Sequence, residues 1–172
     1  MESHGEVFVV SKKYSERLRL SLAGEFLVAA KLLLMGYDAY LTLKNYPKID
    51  VFVHNPKSDK TIGLQVKTTR ETSYHILECP YSEIDERLDE VVKCPYVFVH
   101  VANDKSISYY VVPDTKVKEL VKEAFKRYLE KSAKEETKRK LFRGETKAIL
   151  MLPLKDIEKY KDNWKLIEKL LK

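Results

Sequence analysis

Three polar residues, Asp50, Gln65 and Lys67, have the types and the spacing to act together on a phosphate. Asp50 lies in a predicted strand over residues 49–54, and the other two end the next predicted strand, 61–67. Because side chains alternate between the faces of a strand, Gln65 and Lys67 share one face. If the two strands pair, a carboxylate, an amide oxygen and an ammonium group converge. Together they can hold a divalent cation and orient a water beside a phosphate.

A fourth candidate, Glu25, lies in a helix predicted over residues 15–35, which Gly36 ends. The inward stripe predicted for this helix contains Glu25 and four apolar residues: Leu18, Leu22, Ala29 and Leu33. A carboxylate on an apolar face is unfavourable unless it is hydrogen-bonded, paired or bound to metal. Glu25 is therefore a candidate metal ligand. The alternative is a glutamate at the edge of the stripe that reaches out to solvent.

The elements that must position these residues follow from the periodicity of apolar side chains. Further strands are predicted over residues 7–10, 39–43, 96–102, 107–112 and 148–152. Further helices are predicted over residues 82–92, 115–132 and 156–171. The first helix leads into an antiparallel meander, and helices fall on both sides of a mixed sheet. This order predicts the α/β fold class.

The positive charge of the chain is unevenly distributed. The net charge is +6 and the isoelectric point is about 9.1, which permits a polyanionic partner. Residues 116–143 hold eleven Lys or Arg and five Glu, so this segment alone carries a net charge of +6. Two interpretations remain open: a surface that contacts a phosphate backbone, and a solvated helix with Lys–Glu pairs.

Length and composition favour a single domain over residues 1–172. No apolar run approaches the ~20 residues of a membrane span, and the N-terminus lacks a signal-peptide hydrophobic region. We therefore expect a cytoplasmic protein without a membrane partner. The charged fraction of 34%, mostly Lys and Glu, is typical of thermophiles. Cys79 and Cys94 lack zinc-type spacing; reduced thiols are expected, with a disulfide as the alternative.

In their order and spacing, these residues resemble the PD-(D/E)xK nuclease superfamily, which has the restriction-endonuclease-like fold. Within it, the likeness is to archaeal Holliday junction resolvases and to homing endonucleases with a Gln-x-Lys motif. The resemblance implies a mixed central sheet flanked by helices. The order of the residues and their strand-turn-strand context match over residues 15–70, and the specific part of the match is four residues. The matching segments are Gly24-Glu25-Phe26, Gly36-Tyr37, Ile49-Asp50-Val51 and Leu64-Gln65-Val66-Lys67-Thr68.

The resemblance also implies roles for the four candidates. Asp50 would be the central metal ligand, and Gln65 would occupy the usual acidic position of the motif. Lys67 would orient the attacking water or stabilise charge that develops on the phosphate, and Glu25 would contribute to the metal site. The implied cofactor is Mg²⁺, with Mn²⁺ as a substitute, and the implied reaction is endonucleolytic hydrolysis of DNA. Since such enzymes cut two strands, a homodimer is expected.

Contacts to nucleic acid are predicted for polar residues that follow the motif and for basic residues of the 116–143 segment. They are Thr68, Thr69, Arg70, Lys126, Arg127, Lys138, Arg139, Lys140 and Arg143. For the three residues directly after the motif, ordinary polarity at the end of a strand is the alternative.

One departure from the motif leaves other functions open. Gln65 replaces a carboxylate by a neutral amide, which lowers the expected metal affinity unless Glu25 supplies the missing charge. A catalytically weak or inactive nucleic-acid-binding protein on the same fold is therefore an alternative. A motif that arose by chance is another, and it would leave Glu25, Asp50 and Lys67 on different faces of the sheet.

Overall fold

A computed structural model describes residues 12–42, 48–80, 88–132 and 147–172 of the chain. The strand predicted over residues 7–10 and the charged connection after residue 132 lie outside the described residues. So does most of the helix predicted over residues 82–92.

Helix α1 (Lys12–Leu34) is the predicted first helix, and the chain leaves it at Gly36. Gly36 has a φ of +85°, a left-handed conformation that glycine adopts without steric penalty. The buried face differs from the predicted stripe, because Val28 and Leu32 are fully buried whereas Leu33 is 53% exposed. The prediction for Leu33 was wrong since apolar residues lie on both sides of α1, so their periodicity does not identify the side that meets the sheet.

Five strands of the described chain form one mixed sheet in the order β1-β2-β3-β5-β6. The first three pair as an antiparallel meander, and β5 then joins β3 in parallel before β6 returns antiparallel. This confirms the predicted α/β class with a mixed sheet. The bounds are Asp38–Leu41 for β1, Val51–Asn55 for β2, Lys60–Arg70 for β3, Tyr96–Val101 for β5 and Ile107–Val112 for β6.

A second, two-stranded sheet pairs β4 (Tyr74–Pro80) with β7 (Lys147–Pro153). The sequence analysis predicted β7 but no element at β4. The partner of β4 lies far along the chain, so local sequence does not show the pairing that stabilises it. Two helices lie between β4 and β7 along the chain: the short α2 (Leu88–Val91) and the long α3 (Asp114–Ser132). The bounds of α3 were predicted almost to its ends.

The predicted helix over residues 156–171 was wrong in its first half. The chain instead makes two 3₁₀ turns, Leu154–Asp156 and Glu158–Tyr160, before the short helix α4 (Lys165–Leu170). Asp162 has a φ of +50°, which interrupts helical hydrogen bonding, and its N–H donates to the Tyr109 carbonyl at 2.8 Å. Contact with β6 therefore takes precedence over local helical periodicity.

The mixed sheet separates two apolar cores. On one face, α1 and the C-terminal segment bury Val28, Leu32, Leu64 and Trp164. The opposite face packs against α3, β4 and β7, with Phe98 fully buried at its centre. Alternation along β3 therefore sends neighbouring side chains into different environments. None of the helices in the described ranges is long and apolar enough to cross a bilayer.

Candidate active site

The pairing of β2 with β3 brings Asp50 to Gln65. Val51 lies opposite Leu64, and the Asp50 N–H donates to the Leu64 carbonyl at 2.8 Å. At this position, Gln65 Nε2 donates to Asp50 Oδ2 at 2.6 Å, and the Val66 N–H donates to the same oxygen at 2.7 Å. A main-chain donor and a side-chain donor thus fix the carboxylate at the end of the meander.

Gln65 and Lys67 face the same cavity, as their spacing predicts. The cavity has a volume of about 360 Å³ and lies between β3 and the layer formed by β4, α2 and α3. Gln65 is 8% exposed and Lys67 is half-buried. Tyr96, opposite Gln65 on the neighbouring strand, and Glu78 on β4 also line the cavity.

Lys48 is a cavity residue that the sequence analysis missed. It lines the cavity together with Gln65 and Lys67, so two ammonium groups border the same space. Its φ of +67° is unusual for a residue with a Cβ, and its carbonyl accepts a hydrogen bond from Cys94 Sγ at 3.6 Å. Its position two residues before Asp50 was the signal in the sequence that could have identified it.

A buried thiol and a buried phenol, those of Cys94 and Tyr96, lie near Gln65. Burial raises the pKa of the Cys94 thiol to about 11, against a smaller opposite effect of its hydrogen bond with the Gln65 backbone. Burial also raises the pKa of Tyr96, and nearby Cys94, Cys79 and Asp50 add to that rise. Both cysteines are buried and free, as predicted for reduced thiols. Neither thiolate nor phenolate charge is therefore expected there at neutral pH.

Glu25 lies on the helix that covers the other face of β3. Its neighbour Gly24 approaches β3 so closely that an added Cβ would lie 1.7 Å from Thr68 Oγ1. Thr68 points away from the face of Gln65 and Lys67, because side chains alternate along the strand. Glu25 is half-buried, and Ser21 Oγ donates to its Oε1 at 3.2 Å. The structure thus joins Asp50 to Gln65 and places Gln65 and Lys67 on one cavity, and a metal-site role for Glu25 stays a prediction.

The polar residues after Lys67 differ in their access to a nucleic acid. The Thr68 hydroxyl is buried against α1, so the prediction that it contacts phosphate was wrong. The Thr69 hydroxyl is 2.6 Å from the Thr72 hydroxyl, within the turn that follows β3. Arg70 is exposed at the end of β3 and remains a candidate.

In α3, ion pairs involve several residues of the basic segment. Lys116 pairs with Glu119 at 2.7 Å, and Arg127 Nη2 is 3.3 Å from Asp156 Oδ2. Arg127 therefore has an intramolecular partner for the charge that was predicted to contact phosphate. Lys126 is exposed and remains a candidate. Lys138, Arg139, Lys140 and Arg143 lie outside the described residues.

The oxygen atoms at the Asp50–Gln65 pair suit a hard divalent cation. Both described hydrogen bonds to the Asp50 carboxylate end on Oδ2, which leaves Oδ1 as a possible ligand. Gln65 uses its Nε2 in this contact, so its Oε1 is a second possible ligand. Within the described part of the chain, no three His, Cys, Asp or Glu side chains are grouped to hold a metal. The residues fit Mg²⁺ only in its usual mode, with few protein ligands and several waters.

Comparisons with known proteins give structural likenesses only. No family model and no curated protein matches the chain. One similar solved structure is the bacterial homing endonuclease I-Ssp6803I, with a TM-score of 0.41 and 13% identity over 64% of this chain and 74% of that chain. Another is Hjc, a Holliday junction resolvase from the archaeal hyperthermophile Archaeoglobus fulgidus, with a TM-score of 0.36 and 15% identity over 55% and 73% of the two chains.

By their names, the two similar structures are a homing endonuclease and a Holliday junction resolvase. At 13–15% identity, the likeness to this chain concerns the fold alone. Function is therefore inferred from the contacts among Asp50, Gln65 and the cavity beside them.

Proposed function

We propose that this protein is a metal-dependent DNA endonuclease whose reaction centre is the cavity beside Asp50, Gln65 and Lys67. The observation that carries the proposal is the 2.6 Å hydrogen bond between Gln65 and Asp50, next to a cavity that Lys67 also lines. Residues 15 positions apart are thereby joined on one side of the sheet. A carboxylate, an amide oxygen and an ammonium group form a donor set that suits hydrolysis of a phosphodiester.

Each residue has a distinct role in this proposal. Asp50 Oδ1 and Gln65 Oε1 would hold Mg²⁺, or Mn²⁺ in its place, and Glu25 would add a ligand from α1. When bound, the cation would supply Lewis acidity toward the phosphate. Lys67 orients the attacking water or stabilises negative charge on the phosphate. Lys48, on the same cavity, binds a phosphate oxygen as a second point charge.

The neutral amide of Gln65 makes this site less acidic than one with two carboxylates. The affinity of the site for free Mg²⁺ is therefore expected to be weak, and the phosphate of the substrate would supply further oxygen ligands. The two lysines of the cavity favour binding of the phosphate together with the cation, because they attract the phosphate. Metal and DNA should thus bind cooperatively.

The test is cleavage of supercoiled plasmid and of a four-way DNA junction in Mg²⁺, Mn²⁺ or EDTA. The parent should cut only with metal, and Asp50→Asn and Lys67→Ala should abolish cutting. Asp59→Asn is the matched control, because Asp59 lies in the turn between β2 and β3 with a side chain that is 99% exposed. Cutting by Asp50→Asn at the rate of the parent would overturn the assignment. Preference for plasmid or junction would define the substrate, and mass in solution would test the expected homodimer.

A second candidate function is binding of nucleic acid without cleavage. It is favoured by the neutral Gln65 and by the lack of a three-residue acidic or His/Cys cluster among the described residues. In that case the parent would bind DNA with a steep dependence on salt, and neither EDTA nor Asp50→Asn would change its affinity. Metal-dependent cleavage would exclude this function.

A further inference from the structure

A cleft at the far end of β3 contains three arginines that the proposed reaction does not use. Its volume is about 620 Å³, and it is lined by Arg17 and Arg19 of α1 and by Arg70 of β3. Glu16 is the acidic residue on its wall. Arg17, Arg19 and Arg70 are all exposed. Guanidinium groups bind phosphate through paired hydrogen bonds, so a cleft of this kind suits a phosphodiester backbone.

Close packing of α1 on β3 builds this cleft. Gly24 lets the helix contact Thr68, and Arg70 leaves the same face of β3 two residues later. The turn of α1 that carries Arg17 and Arg19 therefore lies beside the end of the strand. Arg19 Nη1 also donates to Ser15 Oγ at 2.8 Å, which orients one of the three guanidinium groups.

The backbone at Arg70 is held firmly at the end of β3. Arg70 lies opposite Val101 of β5, and the N–H of the next residue, Glu71, donates to the Val101 carbonyl at 2.9 Å. Glu71 has a φ of +56°, so the chain turns sharply there. The backbone of Arg70 is thus fixed, and its side chain is exposed.

An open edge of β3 connects the arginine cleft with the candidate active site. The β2 ladder ends at the Val51–Leu64 pair, so the rest of β3 has no strand on that side within the described residues. At this edge, the Lys67 side chain projects from one face of β3 and the Arg70 side chain projects from the other. Their Cα atoms are about 10 Å apart along the strand.

We propose that Arg17, Arg19 and Arg70 form a second phosphate-contact site. It holds the backbone of the DNA substrate at a point beyond the phosphate that lies beside Lys67. This inference rests on the proposed function for the identity of the substrate. The arginine contacts themselves require no metal and no cleavage.

The test is binding of a labelled DNA duplex in EDTA, measured by fluorescence anisotropy at several salt concentrations. Arg17→Ala and Arg70→Ala should each weaken binding severalfold and lower the slope of log K against log salt by about 0.9 per lost phosphate contact. Lys60→Ala is the matched control. It removes one exposed positive charge from the other end of the same strand, and it should leave the affinity unchanged.

Three outcomes would overturn the proposal. The first is that both arginine variants bind like Lys60→Ala. The second is weaker binding by both arginine variants with an unchanged slope of log K against log salt, which would show that no phosphate contact was lost. The third is an arginine effect on an RNA duplex but not on DNA.

Failure of this inference can be distinguished from failure of the proposed function. Loss of cleavage in Asp50→Asn, with normal DNA binding by Arg17→Ala and Arg70→Ala, would contradict the proposed arginine site and leave the proposed reaction centre standing. Weakened DNA binding by the arginine variants, with cleavage unaffected in Asp50→Asn, would contradict the proposed reaction centre and leave the proposed arginine site standing.

Discussion

The side-chain amide of Gln65 donates a 2.6 Å hydrogen bond to the carboxylate of Asp50, one position beyond the last residue pair of the β2–β3 hairpin. The backbone N–H of Val66 donates to the same oxygen. The carboxylate is thus oriented by two neutral donors, both of which contact Oδ2 and not Oδ1. With a glutamate in place of Gln65, two negative charges would lie at this distance. The identity of residue 65 therefore determines how strongly the site depends on a cation.

Gln65→Glu should make stability depend on metal. In EDTA the two carboxylates repel each other, so the free energy of unfolding should fall by about 1–3 kcal/mol. Mg²⁺ should then raise the melting temperature more than in the parent, because the added charge increases metal affinity. Thermal unfolding across a Mg²⁺ titration measures both effects.

The matched control for that variant is the exchanged pair, Asp50→Asn with Gln65→Glu. It keeps one carboxylate and one amide in contact, so its stability in EDTA should be close to that of the parent. An equal response to Mg²⁺ in Gln65→Glu and the parent would show that residue 65 is not a metal ligand.

Lys48→Gly should separate stability from activity. Glycine accepts the φ of +67° without the penalty of a Cβ, so stability should be unchanged or rise by about 1 kcal/mol. DNA cleavage should fall about tenfold or more, because one cation of the cavity is lost. Lys105→Gly is the control, since Lys105 has a φ of +66° in an exposed turn. Full activity of Lys48→Gly in a cleavage assay would exclude a role for its ammonium group.

Gly24→Ala should be strongly destabilising. The new Cβ would lie 1.7 Å from Thr68 Oγ1 and 2.9 Å from Thr68 Cβ, so α1 must move away from β3. We expect the free energy of unfolding, measured in urea, to fall by about 3 kcal/mol or more. Adding Thr68→Ala should restore only part of it, because the contact with Cβ remains. Ala23→Ser, at the exposed position next to it, should change stability by less than about 0.5 kcal/mol; an equally small effect of Gly24→Ala would contradict the packing.

His75 should make the fold sensitive to acid. Its side chain is 1% exposed, and burial, with a smaller effect of the nearby His100, lowers its pKa from 6.5 to about 3. Between these values the unfolded chain binds a proton that the folded chain does not. Stability is therefore complete above about pH 6.5 and falls as the pH drops toward 3. The largest loss expected from this residue is about 4–5 kcal/mol.

His75→Phe tests this pH dependence. The ring packs against Phe98 at a centroid distance of 4.9 Å, and its Nε2 has no hydrogen-bond partner within the described residues. Phenylalanine should therefore fit and should remove this part of the acid sensitivity. Urea unfolding between pH 4 and pH 7 measures the difference from the parent. A parallel loss of stability in both proteins would rule out His75 as the cause, and His54→Phe, at a half-buried position, is the control.

Local sequence was sufficient for the elements that have strong periodicity. Helices α1 and α3, the three-stranded meander and the β5–β6 pair were predicted close to their observed bounds. The juxtaposition of Asp50 with Gln65 followed from the same reasoning. A short turn connects two antiparallel strands, so their pairing depends on nearby residues. The shared face of Gln65 and Lys67 needed only the alternation of a strand.

Sequence reasoning failed where distant segments compete. Strand β4 was not predicted because its partner β7 is remote, and the last helix was overextended because contact with β6 interrupts it. In the predicted inward stripe of α1, Ala29 is buried but Leu33 is exposed, since the position of the sheet decides which apolar residues of the helix are covered. Lys48 was missed for the same reason: its place on the cavity depends on segments that are distant in the chain.

The sequence by itself determined the residue types that could act on a phosphate and the strand periodicity that brings three of them together. Both depend on interactions within about 20 residues of the chain, for which the backbone geometry of strands and turns is sufficient. The tertiary structure alone decided that the Thr68 hydroxyl is buried, that α1 covers the face of β3 opposite to Lys67, and that Arg70 lies beside two arginines of that helix. Those relations depend on packing between elements, because close approach of a helix and a sheet is set by the shapes of both surfaces.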